Sequence, residues 1–176
     1  MVQAYSNIGS GRALGAGIGL LALFVLTMLF AYGRLIGSLG PFGGELTSFG
    51  SYLRVAFISI VPAGGAVLVS LIGRKFSGYG GSLGGDVFIA GCAMVPIALW
   101  LLSVFVLGAA NAELIVALGI FALCYFTLLM YNGLTRIGRL SADLAALLVP
   151  AAILVMGYLT SVAVRSLVSN AFGGLF

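Results

Sequence analysis

Residues 87–108 read VFIAGCAMVPIALWLLSVFVLG, an apolar run without a single charged side chain. A helix needs about 20 such residues to cross the hydrocarbon of a bilayer. Four more runs of this kind lie in the chain, at residues 13–33, 55–73, 114–132 and 144–164. Backbone groups inside lipid must be hydrogen-bonded within their own segment, so the runs are predicted to be helices. The sequence therefore predicts an all-α, polytopic integral membrane protein built as a five-transmembrane-helix bundle.

The composition also indicates a surface that faces lipid. Of the 176 residues, 62% are apolar and only 7% are charged, whereas soluble domains carry about 25% charged residues. This length suits a single transmembrane domain over residues 1–176. The eight basic residues are scattered along the chain. Nucleic-acid binding needs Lys and Arg clustered on one face, so we expect no nucleic-acid partner.

The sequence offers no recognisable catalytic or metal-binding set. It contains no histidine, which is the commonest metal ligand and a frequent general base. Cys92 and Cys124 lie in separate apolar runs, and a zinc site needs about four ligands. The predicted spans hold no carboxylate pair, no nucleophile elbow and no phosphate-binding loop. We therefore expect no enzyme activity, no metal site and no cofactor.

Three prolines interrupt the apolar runs. Pro62, Pro96 and Pro150 each remove a backbone hydrogen bond inside a predicted span, and Gly64 and Gly65 weaken the helix next to the first of them. One interpretation is that the helices are broken there and line a substrate path, as in transporters. The other is that the prolines only kink helices that remain packed. The second is favoured, because no ionisable side chain accompanies any of the three.

Charged side chains lie at the ends of the predicted spans. Asp86, Glu113 and Asp143 precede spans, at their N-terminal ends. The residues that follow spans, at their C-terminal ends, are Arg34, Arg74, Lys75, Arg136, Arg139 and Arg165. This placement complements the helix dipole. Asn111 and Ser141 are predicted to cap the helices that follow them.

The basic residues predict an orientation. With five spans, the N-terminus shares a side with the second and fourth connections. That side carries Arg12, Arg74, Lys75, Arg136 and Arg139, and the other side carries Arg34, Arg54 and Arg165. The positive-inside rule then predicts a cytoplasmic N-terminus and a C-terminus outside the cell or in a lumen.

The same basic residues are the candidate contacts for lipid headgroups or a partner. Arg74, Lys75, Arg136 and Arg139 are expected at the cytoplasmic surface, where anionic headgroups attract basic segments. Arg54 lies at the start of the second span, where a long side chain reaches the interface. The alternative is that all five only anchor the protein in its orientation. Gly15 and Gly19 have the small-xxx-small spacing of close helix contacts, although this spacing is common by chance in a chain this rich in Gly and Ala.

Two segments resemble the prokaryotic branch of the Yip domain family of Ypt-interacting membrane proteins. Residues 76–99 read FSGYGGSLGGDVFIAGCAMVPIAL, a glycine-rich loop followed by a span with a central proline. Residues 136–150 read RIGRLSADLAALLVP and are similar to the family's basic turn and last span. With residues 52–73, which resemble the start of the domain, the Yip-like region covers 52–176. The first span departs from the family's usual pattern.

The resemblance implies five spans, a cytoplasmic N-terminus and a non-enzymatic role in membrane organisation, trafficking-type scaffolding or partner binding. We expect a prokaryotic plasma membrane, with membrane lipids, further copies of the chain or other membrane proteins as partners. A GTPase partner follows only by analogy with eukaryotic family members. Two alternatives stay open: a small transporter or channel with its path at the proline-broken helices, and an accessory subunit of a larger membrane complex.

Overall fold

A computed structural model of the chain describes residues 2–38, 48–78 and 82–172, with side chains between residues 11 and 165. The described part is made of five α-helices and one short 3-10 turn. The helices are α1 (Val2–Gly37), α2 (Phe49–Ser77), α3 (Leu83–Leu107), α4 (Ala112–Arg136) and α5 (Ala142–Phe172). Each is long and apolar enough to cross a membrane. The predicted all-α five-helix membrane bundle is confirmed.

The second helix begins earlier than its apolar run. It starts at Phe49, because the hydroxyl of Ser48 accepts a hydrogen bond from the amide of Ser51 at 3.3 Å and caps the first turn. Arg54 consequently lies in the second turn of α2, five residues after Phe49. The hydrophobic run marks the part of the helix that lipid requires, while capping residues decide where the helix begins.

The connection between α2 and α3 is shorter than predicted. α2 continues to Ser77 and ends where Gly78 takes the left-handed conformation, with φ of 67°. α3 begins at Leu83, after Ser82 accepts the amide hydrogen of Gly85 at 3.1 Å. Residues 79–81 of the predicted loop lie outside the described residues. Asp86 is therefore part of the first turn of α3 and not of the loop.

Two of the predicted helix ends need correction. The side chain of Asn111 makes no capping hydrogen bond, because a 3-10 turn over Gly108–Asn111 leads directly into α4. Arg165 does not close the fifth helix, since α5 runs on to Phe172. The predicted cap at Ser141 is confirmed: its hydroxyl accepts the amide hydrogen of Leu144 at 3.4 Å.

α3 is the central helix of the described bundle. Of its apolar stretch 56% is buried, against at most 33% in the other four helices. α1, α2 and α4 all pack against α3, and α5 packs mainly against α2 and also against α4. The outward faces carry large exposed apolar side chains, including Leu154, Leu147 and Ile120. A soluble protein rarely exposes so much contiguous apolar surface, so these faces suit contact with lipid.

The three prolines lie inside helices that remain continuous. Pro62, Pro96 and Pro150 are interior residues of α2, α3 and α5. The break that one interpretation placed at residues 62–65 is not formed. Gly65 is instead a packing position: a β-carbon added there would stand 3.0 Å from Cγ of Met156 on α5.

Candidate functional site

A buried polar cluster joins the C-terminal end of α2 to the first turn of α3. The hydroxyl of Ser70 donates a hydrogen bond to Oδ1 of Asp86 at 2.7 Å. Nη2 of Arg74 lies 2.8 Å from Oδ2 of the same carboxylate. Ser70 and Asp86 are buried, and 18% of the Arg74 side chain is exposed. Asp86 is the only buried acid among the described side chains.

The local structure explains why these three side chains meet. Ser70 and Arg74 are four residues apart, so they lie one above the other on the same face of α2. Asp86 faces them because Ser82 starts α3 one turn earlier than the apolar run. Beside this cluster Gly73 allows α2 to approach α5 closely, because a β-carbon there would collide with Leu140 and Leu148. This end of α2 is thereby held against α3 and against the start of α5.

The geometry favours a structural clamp over a catalytic group. An unpaired carboxylate inside a membrane protein is costly, and such residues are usually paired with one another. Oδ1 of Asp86 accepts the hydrogen bond from Ser70, and Oδ2 forms an ion pair with Arg74. A carboxylate engaged in this way has little capacity to act as a general base, which must face the proton that it removes. The cluster therefore links two helices through a desolvated charge pair.

Sequence reasoning missed this pairing. It placed Arg74 at the membrane surface and treated Asp86 only as a charge that complements the dipole of α3. The available signal was the four-residue spacing of Ser70 and Arg74, followed across a short connection by an acid. Lys75 is exposed beside the cluster, as expected for a surface residue.

The other predicted basic contacts are exposed and lie at two ends of the bundle. Arg136 ends α4, and Arg139 lies in the α4–α5 connection with φ of 54°. That connection packs against the end of α2, as the contact between Gly73 and Leu140 indicates. Arg54 lies near the start of α2, at the opposite end of that helix. The structure therefore brings Arg136 and Arg139 to the end of the bundle that holds Arg74, and leaves Arg54 apart.

The prolines do not converge on one site. Pro62 lines a cavity of about 360 Å³ to which all five helices contribute, with Phe24, Met94, Phe126, Met156 and Thr160 among its walls. Pro96 lines a separate groove of about 400 Å³ between α3 and α4, beside Trp100 and Tyr125. Pro150 is exposed on α5. The walls of the cavity beside Pro62 are almost entirely carbon, and Thr160 supplies a hydroxyl group.

Within the described part of the chain, no group of three or more His, Cys, Asp or Glu side chains is placed to hold a metal ion. Cys92 is half-buried in α3 and Cys124 is exposed on α4, and both are free thiols. Comparison of the chain with family models, with curated proteins and with solved structures gave no match.

Proposed function

We propose that this protein is a non-enzymatic, Yip-like integral membrane protein that organises the membrane or binds a partner. One observation carries the proposal: Asp86, the buried acid of the described bundle, is already hydrogen-bonded to Ser70 and ion-paired with Arg74 within the fold. The two pockets beside Pro62 and Pro96 have walls of carbon in place of the convergent polar groups that a reaction site needs. Support for the Yip-like character comes from the resemblance of residues 76–99 and 136–150.

A cytoplasmic N-terminus is part of the proposal. It would place the C-terminal end of α2 and the α4–α5 connection in the cytoplasm. Lys75, Arg136 and Arg139 are exposed there and would meet anionic headgroups or an acidic partner. A prokaryotic plasma membrane is also part of the proposal. The partners of the protein there would be lipids, further copies of the chain or other membrane proteins.

The test is a comparison of two charge variants of the purified full-length protein in nanodiscs that contain anionic lipid. The triple variant Lys75→Gln, Arg136→Gln and Arg139→Gln removes three exposed basic charges at one end, and Arg54→Gln removes one at the other. A stoichiometric membrane partner isolated with the wild type should be lost from the triple variant and kept by Arg54→Gln. Turnover of a substrate by the purified protein would refute the non-enzymatic role.

A small transporter or channel is the second candidate. The cavity of about 360 Å³ favours it, because all five helices line it and Pro62 and Gly157 lie in its wall. No heavy atom lies within 4 Å of a β-carbon added at Gly157, so Gly157→Leu can add bulk at the wall of the cavity. Solute flux into liposomes that the wild type supports and Gly157→Leu abolishes would establish this function. Gly64→Leu is the matched control, because Gly64 also has open space but does not line the cavity.

An accessory subunit of a larger membrane complex is the third candidate. Only 17% of the apolar stretch of α4 is buried, so a broad apolar face is available to another transmembrane segment. Co-purification of a stoichiometric partner that Ile120→Trp releases would support this role. Ile120 is 62% exposed on α4. A monodisperse homo-oligomer in mild detergent would count against it.

A further inference from the structure

A groove with a basic rim lies at the end of the bundle opposite the Asp86 cluster. Its volume is about 540 Å³, within the range of about 300–1,000 Å³ that is typical of small-molecule sites. α1 supplies one wall, and single side chains of α2 and α3 complete it. The lining residues are Leu26, Leu29, Phe30, Gly33, Arg34, Tyr52 and Phe105. None of these described lining residues is acidic.

The wall from α1 runs along the membrane-spanning direction. Leu26, Phe30 and Arg34 recur at intervals of four residues and therefore share one helix face. The two intervals from Leu26 to Arg34 cover about 12 Å at about 1.5 Å per residue. One leaflet of hydrocarbon is about 15 Å thick, half of the bilayer core. The groove thus descends from a charged rim through most of one leaflet.

The rings that shape the groove are held by neighbours. Phe30 and Phe105 have ring centroids 5.7 Å apart in a tilted arrangement, which joins α1 to α3. Tyr52 packs edge-on against Tyr32, with centroids 5.5 Å apart. Its hydroxyl lies over Gly33, only 2.8 Å from where a β-carbon on Gly33 would stand. The hydroxyl of Tyr52 is thereby fixed beside the backbone that carries Arg34.

We propose that this groove binds an anionic phospholipid, with its phosphate at Arg34 and Tyr52 and an acyl chain along Phe30 and Phe105. The rim carries an exposed guanidinium, which binds phosphate through two parallel hydrogen bonds. The wall below it is carbon, and Leu26 and Phe30 are more than half exposed towards the lipid side. A free anion would pair with Arg34 and leave the carbon wall uncovered. A phospholipid places its phosphate at Arg34 and its acyl chain against that wall. This site is independent of the proposed function, since it depends only on the groove.

The experiment is native mass spectrometry of the full-length protein extracted from vesicles of equal parts phosphatidylglycerol and phosphatidylcholine. The wild type should retain phosphatidylglycerol in about tenfold preference, a difference of about 1.4 kcal/mol. Both lipids carry a phosphate, but the choline cation of phosphatidylcholine is repelled by Arg34, whereas phosphatidylglycerol is a net anion. Arg34→Gln should abolish the preference. Arg165→Gln is the matched control, because Arg165 is exposed in the C-terminal part of α5, near the same end, and does not line the groove. It should keep the wild-type preference.

A second pair of variants tests the groove without touching its charge. Leu29→Trp fills the groove and should remove the retained lipid. Leu23→Trp is the matched control and should keep the lipid, because Leu23 is exposed on α1 and does not line the groove. Equal retention of the two lipids by the wild type would overturn the proposal, as would an unchanged preference in Arg34→Gln. A change of oligomeric state in Arg34→Gln, with no change in lipid, would assign the groove to a second copy of the chain.

Discussion

The backbone carbonyl oxygen of Gly17 lies 2.7 Å from the point where a β-carbon on Gly91 would stand. In the other direction, a β-carbon on Gly17 would stand 2.7 Å from the carbonyl oxygen of Val87. Real β-carbons do not come so close to backbone atoms, so α1 and α3 touch main chain to main chain. Small residues permit this kind of contact in membranes, where dispersion forces and not water hold helices together.

Gly17→Ala should therefore destabilise the protein by about 1–3 kcal/mol, the usual cost of adding a methyl group to a close-packed position. The atoms that it meets belong to the backbone of α3, which cannot move aside as a flexible side chain does. Thermal unfolding in detergent, followed by circular dichroism, measures the loss.

Gly15→Ala and Gly19→Ala are the matched controls on the same helix. Nothing lies within 4 Å of a β-carbon at either position, so both variants should unfold at the wild-type temperature or slightly above it. Equal destabilisation by all three variants would show that α1 does not meet α3 through Gly17. The small-xxx-small spacing of Gly15 and Gly19, which is common by chance in a chain this rich in Gly and Ala, thus marks no close contact with the described neighbours of α1.

The Asp86 cluster predicts strong coupling between two residues. Arg74→Ala should cost about 3 kcal/mol, because it removes one partner of a buried ion pair and leaves the carboxylate with Ser70. Asp86→Ala should cost a similar amount. The loss of stability in the double variant should be at least about 1 kcal/mol smaller than the sum of the two single losses. Once one partner is gone, the second substitution breaks no further ion pair.

Lys75→Ala, followed by the same unfolding measurement, is the control for this double-mutant cycle of Arg74 and Asp86. Lys75 is the exposed neighbour of Arg74, and a surface substitution of this kind changes stability by no more than about 0.5 kcal/mol. Additive effects of the Arg74 and Asp86 substitutions would mean that the pair does not hold α2 to α3.

A hydrogen bond between α3 and α4 predicts a smaller effect. Nε1 of Trp100 donates to the backbone carbonyl oxygen of Ile115 at 2.8 Å. Trp100→Phe removes this donor and should lower the stability by about 1 kcal/mol or somewhat more, because the smaller ring also leaves space. The check is the unfolding temperature relative to Tyr125→Phe, a ring in the same groove. A larger loss in Tyr125→Phe would argue against the Trp100 bond.

The number of transmembrane helices could be predicted from the sequence, because the hydrocarbon of a bilayer offers backbone amides and carbonyls no hydrogen-bonding partner. An apolar run of sufficient length has to satisfy its own amides and carbonyls, and a helix does so. Helix ends were less predictable. Ser48 and Ser82 extend α2 and α3 beyond their apolar runs, and a serine is a weak signal until the turn that it caps is known.

The pairing of helices was the least predictable feature. In a chain with 27 glycines, the spacing of small residues does not identify which glycine faces which helix. The contact at Gly17 was therefore not predicted. The partnership of Arg74 with Asp86 depends on the extra turns of α2 and α3, and both residues lie outside the predicted spans, which ended at residue 73 and resumed at residue 87. The groove at Arg34 likewise needs three helices in their correct places.

The proposed orientation predicts which residues an impermeant thiol reagent reaches in intact cells. In a background with Cys92→Ala and Cys124→Ala, single cysteines replace uncharged exposed residues, so the basic residues that set the orientation stay in place. Phe49→Cys and Asn111→Cys lie at the end of the bundle assigned to the outside, and Phe76→Cys lies at the end assigned to the cytoplasm. The first two should react in intact cells and the third only after permeabilisation. The reverse pattern would invert the orientation and leave the helices as they are, whereas labelling of Phe49→Cys and Phe76→Cys from the same side would mean that α2 does not cross the membrane.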